Sequence, residues 1–175
     1  MARLTQTILR HEYPKLGKLV LHRHNIGKPL LQKDYGGDLD CTITSLAYIF
    51  GAERYCEIEK IAVKYGYNAD KRGTNPLTVK SIMRRLGAKN PQSRYIKGVG
   101  WTFNTVKWIV DKGVPIVLNL WEDGRGYYKN HSVTVVGYET YDSGEKFLIV
   151  YDNWNDVPCL IDYDKLSAIS SLNWC

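Results

Sequence analysis

The chain changes texture at Gly113, and this change limits the folds open to it more than any other feature. Before it, apolar residues recur at helical spacing. After it, Pro115-Ile-Val-Leu-Asn-Leu-Trp121, Ser132 to Tyr138, Lys146 to Tyr151 and Val157 to Ile161 are β-branched and aromatic runs. Turn-rich stretches such as Glu122-Asp-Gly-Arg-Gly126 and Tyr141-Asp-Ser-Gly144 separate them. Helices first and strands afterwards predict an α+β fold, an N-terminal helical half packed on a C-terminal antiparallel β-sheet.

Four helices are expected in the first half. The first follows Asp40 as N-cap and carries Ile43, Leu46, Ala47 and Phe50 on one face, ending at Gly51. The second runs over about 53–65, the third from Asn75-Pro76 to Gly87, and the fourth from Phe103 to Lys112 behind Thr102. Residues 1 to about 38 read as irregular apart from an alternation at Leu19-Val-Leu-His-Arg-His24, and one short helix is expected over Asp162 to Ile169. A length of 175 residues fits a single domain, 1–175, with the helical half at 40–113 and the sheet at 114–163.

Thirteen tyrosines and five tryptophans favour an ordered fold with aromatic clefts. The net charge of +6 comes from scattered lysines and arginines with no nucleic-acid module signature, so a solvated basic surface is expected and no nucleic-acid partner. Cys41, Cys56, Cys159 and Cys175 form no CxxC pair and no zinc spacing, so free thiols in a reducing compartment are expected, with no metal and no cofactor. His22 and His24 make a His-x-His pair without a third ligand nearby, which reads as an exposed strand face. The N-terminus has no apolar core of a signal peptide, and no run spans a bilayer. The expected location is cytoplasmic, with leaderless export the alternative. The oligomeric state is not legible.

Three segments carry chemistry. Cys41 stands where a helix begins, where unpaired N–H groups and the dipole favour a thiolate. His131 enters an apolar strand. Asp152 ends the next one, within reach of an imidazole N–H, with Asn153 as a neighbouring competitor and Trp154 placed to shield the bond. A free cysteine alone is most often buried packing; the histidine and carboxylate downstream shift the balance to a thiol nucleophile. Cys56, mid-helix, and Cys159, within a strand, read as packing residues.

Asn130-His-Ser-Val-Thr-Val-Val-Gly-Tyr138 resembles the histidine strand of papain-like cysteine peptidases, and Ile149-Val-Tyr-Asp-Asn-Trp154 resembles their segment in which asparagine or aspartate precedes a tryptophan by two. Asp40-Cys-Thr-Ile-Thr-Ser-Leu-Ala47 is most similar to the branch containing the double-glycine leader peptidases of bacteriocin exporters and their stand-alone relatives. The resemblance implies a papain-like fold and a catalytic Cys41, His131 and Asp152, supported by Asn153 and Trp154. Two departures stand out. Thr42-Ile43 replaces the usual Gly-Pro, and Tyr35 holds the place six residues before the cysteine where many relatives carry an oxyanion glutamine. Gln32 takes that role if Tyr35-Gly36-Gly37 forms an extra bulge; otherwise the backbone N–H of Cys41 is the donor.

The implied function is a cysteine peptidase cutting a peptide or protein substrate through a thioester. The same Cys-His-Asp order also serves a cell-wall peptide amidase or a transglutaminase-like acyl transferase. A catalytically dead binding module on the same fold is the reading from another class.

Overall fold

The computed structural model describes residues 3–24, 27–68 and 73–175. Among the described residues, seven strands form one antiparallel sheet: β1 (Leu19–His24), β2 (Gln92–Tyr95), β3 (Ile116–Glu122), β4 (Lys129–Tyr141), β5 (Lys146–Tyr151), β6 (Cys159–Asp162) and β7 (Ser170–Trp174). Their order is β2-β7-β3-β4-β5-β6, with β1 paired to β4 off this path. The thirteen-residue β4 is the spine. Its first half pairs with β3, its second half with β5 and β1, and a register shift between Val135 and Gly137 marks the changeover. Gly137 is needed there because a Cβ would meet the Arg23 carbonyl oxygen of β1 at 2.2 Å.

Five α-helices among the described residues cover the sheet: α1 (Gln6–Glu12), α2 (Cys41–Phe50), α3 (Tyr55–Lys64), α4 (Val79–Arg85) and α5 (Phe103–Asp111). Alternation along β3 sorts them. Ile116, Leu118 and Leu120 share a core with Phe103, Val106 and Ile109 of α5. Val117 joins the core of α2, α3 and α4, where Ile43, Leu46, Ile58 and Ile82 are fully buried. A third cluster seats Leu9 of α1 on Val136, Phe147 and Ile149. The fold is α+β and papain-like, as the change of texture and the motif resemblance imply.

Several elements differ from expectation. The first 38 residues are not merely irregular: α1 lies there, held by Leu9 and by Gln6 donating to buried Glu139. Residues 1, 2, 25 and 26 of that segment lie outside the described residues. β2 falls inside the half expected to be helical. No short helix forms over Asp162 to Ile169; those residues turn, and Asp162 caps the turn by accepting from the Asp164 N–H at 3.0 Å. The strand that follows, β7, extends the sheet past 163 and lies between β2 and β3. Cys56 is exposed rather than packed, whereas Cys159 is buried. His22 bonds Glu139 at 2.9 Å. Among the described residues, no helix is long and apolar enough to cross a membrane.

Candidate active site

Cys41 is the first residue of α2, and the helix is buried from Cys41 to Ala47. Asp40 precedes it but does not cap it with its side chain. Its carbonyl accepts from the Thr44 N–H at 2.8 Å, while its carboxylate accepts from Tyr67, from the Tyr55 hydroxyl at 2.9 Å and from the Gly37 N–H at 2.8 Å. Burial, then the bond to Asp40, pushes both tyrosines far above the ordinary phenol range. The helix start is thus fixed by a tethered carboxylate. Gly36 makes room for it, since a Cβ there would meet Asp40 Oδ2 at 1.6 Å. Gly36→Ala is expected to lower the melting temperature and slow Cys41 alkylation together, read by calorimetry and by mass spectrometry.

His131 is the third residue of β4 and lies opposite Leu120 of β3. Its ring belongs to an aromatic triad: it stacks on Trp154 with centroids 4.0 Å apart and on Tyr128 at 5.5 Å, and those two rings lie 5.6 Å from each other. Nε2 is 2.8 Å from the main-chain carbonyl oxygen of Asp152. A carbonyl only accepts, so Nε2 carries a proton and Nδ1 is left for the thiol.

The ring bond is therefore made by the backbone of Asp152 and not by its carboxylate, as the sequence had implied. Asn153 has a φ of +65° and turns the chain directly after β5. The carboxylate folds back over that turn: Oδ1 accepts from the Trp154 and Asn155 N–H groups at 3.1 and 2.9 Å. Oδ2 accepts from the Tyr128 hydroxyl at 2.9 Å, Asn155 Nδ2 at 2.6 Å and the Cys159 thiol at 3.4 Å. With those donors its capacity is filled. Tyr128 was not singled out from the sequence, although a tyrosine three residues ahead of the histidine in a turn-rich stretch was its one available signal.

Asn153 does not compete for the imidazole. Its Nδ2 donates to the carbonyl oxygens of Cys41 and Ser132, at 2.8 and 2.9 Å, and to Ser45 Oγ at 2.9 Å. It pins the start of α2 to the histidine strand. Gln32 enters the same junction through its backbone, donating to the Asn153 carbonyl at 2.7 Å. Its side chain is buried, but Nε2 donates to the Gly37 carbonyl and Gln32 is absent from the cleft wall. The extra residues Tyr35-Gly36-Gly37 do form a detour, closed by Gly36 N–H to Gln32 carbonyl at 2.9 Å. That detour turns Nε2 onto Gly37 and leaves Oε1 buried without a hydrogen-bond partner.

Cys41 and His131 line one pocket of about 490 Å³. A model of the Peptidase_C39 like family matches residues 28–169. The chain belongs to that family. The match takes in Cys41, His131 and Asp152 and begins after α1 and β1. Membership in the Peptidase_C39 like family places the chain in the papain-like cysteine peptidase superfamily and supports peptidase activity in general. No curated protein sequence matches the chain.

The floor of this pocket is a polar chain. Asn119 Oδ1 accepts from Asn173 Nδ2 at 3.0 Å and from Ser171 Oγ at 3.2 Å. That fixes the amide so that Nδ2 donates to Ser132 Oγ, at 2.5 Å. Ser132 and Thr42 share a further bond of 2.7 Å. Burial pushes the Cys41 thiol up. Hydrogen bonding and charge attraction from His131, then bonds from the Ser132 hydroxyl and N–H, outweigh it and hold the thiol below its ordinary value. Asn119→Asp would set an acceptor and a negative charge against Ser132. It is expected to raise the Cys41 pKa by about one unit, or about tenfold in thiolate at neutral pH, read from alkylation rates.

Proposed function

We propose that the chain is a cysteine peptidase with Cys41 as nucleophile and His131 as acid and base. The thiolate attacks the carbonyl carbon of a peptide bond. The resulting oxyanion accepts from the Cys41 backbone N–H, which at the first turn of α2 has no intrahelical acceptor. His131 donates its Nδ1 proton to the leaving amine, the C–N bond breaks and a thioester remains. Water then attacks the thioester, giving its proton back to Nδ1, and the acid leaves with Cys41 restored as thiolate. Nε2 keeps its proton throughout, held by the Asp152 carbonyl. Trp154 and Tyr128 keep the ring in plane and shelter that bond.

The observation that carries this reading is that thiol and imidazole share one pocket while the imidazole's other nitrogen is committed to a carbonyl. The Asp152 carboxylate is a positioning group in this mechanism, holding the turn that aims its own carbonyl. A dead binding module draws support from the engaged Gln32 amide, and the lowered thiol pKa weighs against it. The test is a peptide-library digest with wild type and Cys41→Ala side by side, read by mass spectrometry. New termini with wild type and none with the variant are expected. Products carrying an added amine instead of water would move the activity to acyl transfer, and no product from either protein would favour the binding module.

A further inference from the structure

A second groove, of about 840 Å³, opens on the face of the sheet opposite the cleft floor. Alternation along β7 puts it there. Asn173 bonds Asn119 in the cleft floor at 3.0 Å, so the next residue, Trp174, faces the other way and packs on the core under α5. Gln92 and Arg94 of β2 share that face, since they pair with Trp174 and Leu172. From the helix side the groove is lined by Asn104, Trp108 and Lys112, which at i, i+4 and i+8 form one stripe of α5 and its C-cap.

Packing does not account for Trp108. The core side of α5 is Phe103, Val106, Ile109 and Val110, all buried, whereas Trp108 is 55 % exposed and lies outside that core. The Lys112 ammonium sits 3.6 Å from its ring centroid, which sets a positive charge against an aromatic plane. Lys107 on the same helix is neutralised by Asp111 at 2.7 Å. Among the described residues, Lys112 and Arg94 have no carboxylate within ion-pair distance, and the groove wall holds no aspartate or glutamate. The wall therefore favours an anion. Its amides are set as well. Gln92 Nε2 donates to Asn90 Oδ1 at 2.7 Å and to the Asn90 carbonyl at 3.2 Å. That leaves Gln92 Oε1 as an acceptor and Asn90 Nδ2 as a donor for a ligand.

We propose that this groove binds an acidic saccharide, a sugar chain that carries carboxylates. A sugar ring has an apolar C–H face that lies flat on an indole. Its hydroxyls need donors and acceptors in place, which the amides of Asn90, Gln92 and Asn104 supply. A uronate adds a carboxylate for Arg94 and Lys112. A nucleic-acid strand also stacks on indoles, but it is held by a run of cations that tracks its phosphates. Here the amides outnumber the two cations, which favours the sugar. Neither Cys41 nor His131 lines the groove, so the proposal does not rest on the peptidase reading.

The experiment is calorimetric titration of the full chain with hexamers of galacturonate, mannuronate and hyaluronan, with chitohexaose as the neutral control and octathymidylate as the nucleic-acid control. At least one uronate hexamer is expected to bind with a Kd below about 1 mM, more tightly than chitohexaose and more weakly as salt is raised. Trp108→Ala should weaken that binding about tenfold. Arg94→Gln combined with Lys112→Gln should reduce it to the chitohexaose level and remove its salt dependence. All three side chains are exposed, so the melting temperature and the Cys41 alkylation rate should stay at wild-type values in both variants. No binding of any uronate hexamer at about 1 mM, or equal binding of chitohexaose, would overturn the proposal. Affinities unchanged in both variants would put the sugar elsewhere and overturn the groove. Octathymidylate binding more tightly than every uronate, and lost in the same variants, would overturn the saccharide in favour of a single-stranded nucleic acid.

Discussion

Replacing His131 by alanine is expected to slow alkylation of Cys41 at about pH 6 by tenfold or more and to reduce peptide cleavage by about two to four orders of magnitude. Burial acts on the Cys41 thiol first and pushes its pKa up; the bond and charge of His131 are the largest influences in the other direction. Without the imidazole, burial is left opposed only by the bonds from Ser132, so the pKa should rise above that of an ordinary thiol. In wild type the thiolate persists as pH falls, down to its lowered pKa, whereas in the variant it is lost well above neutrality. The iodoacetamide rate against pH therefore has its midpoint below the usual value of about 8.5 for wild type and above it for His131→Ala. The other cysteines separate cleanly. Cys159 is pushed up to about 12, by burial and then by the Asp152 charge, and stays silent. Cys56 and Cys175 are exposed and are replaced by serine in the reference protein. Superimposable profiles would mean that Cys41 and His131 are not coupled.

What was legible in the sequence follows from how local the signal is. The α2, α3 and α5 helices and the β3 to β5 strands carry their apolar period within one segment, so their type and near-boundaries could be read directly. β7 could not: Ser170-Ser-Leu-Asn-Trp174 is polar on the side that meets Asn119, and it becomes a central strand only through partners far along the chain. α1 is seven residues long and is held by tertiary contacts of Leu9, which no periodicity over 6–12 announces. At the site, Cys41 and His131 were readable because each stands at an element's start. Which atom of Asp152 meets the ring was not readable. It depends on the left-handed turn at Asn153, which sends the carboxylate one way and the carbonyl the other. The Gln32 amide was lost to the Gly37 carbonyl for a similar reason: spacing measures chain length, not where a turn points its side chains.

Asp152→Ala is expected to lower stability by about 3 kcal/mol and cleavage by about a hundredfold or more, with both losses arising from one cause. The substitution leaves the main-chain carbonyl that meets His131 in place. What it removes is the acceptor for the buried Tyr128 hydroxyl and for two backbone N–H groups and Asn155 Nδ2, which are part-buried around a carboxylate with no exposure of its own. The turn that aims the carbonyl should loosen, and Tyr128 should drift from the imidazole face. Asp152→Asn keeps an acceptor for the two N–H groups and forces Asn155 to reverse its amide, so a milder loss is expected. Asn153→Ala provides the contrast. It places alanine at a φ of +65° and removes the donor shared by the Cys41 and Ser132 carbonyls and Ser45 Oγ, for a cost of about 1–3 kcal/mol. Because it frees the start of α2, its larger effect should fall on the thiol. Chemical denaturation, kcat/KM and the alkylation profile are measured for all three. If the carboxylate instead acts directly on His131 in solution, Asp152→Ala would shift the alkylation profile while the melting temperature barely moved. That pattern would replace the carbonyl with the carboxylate as the group that orients His131.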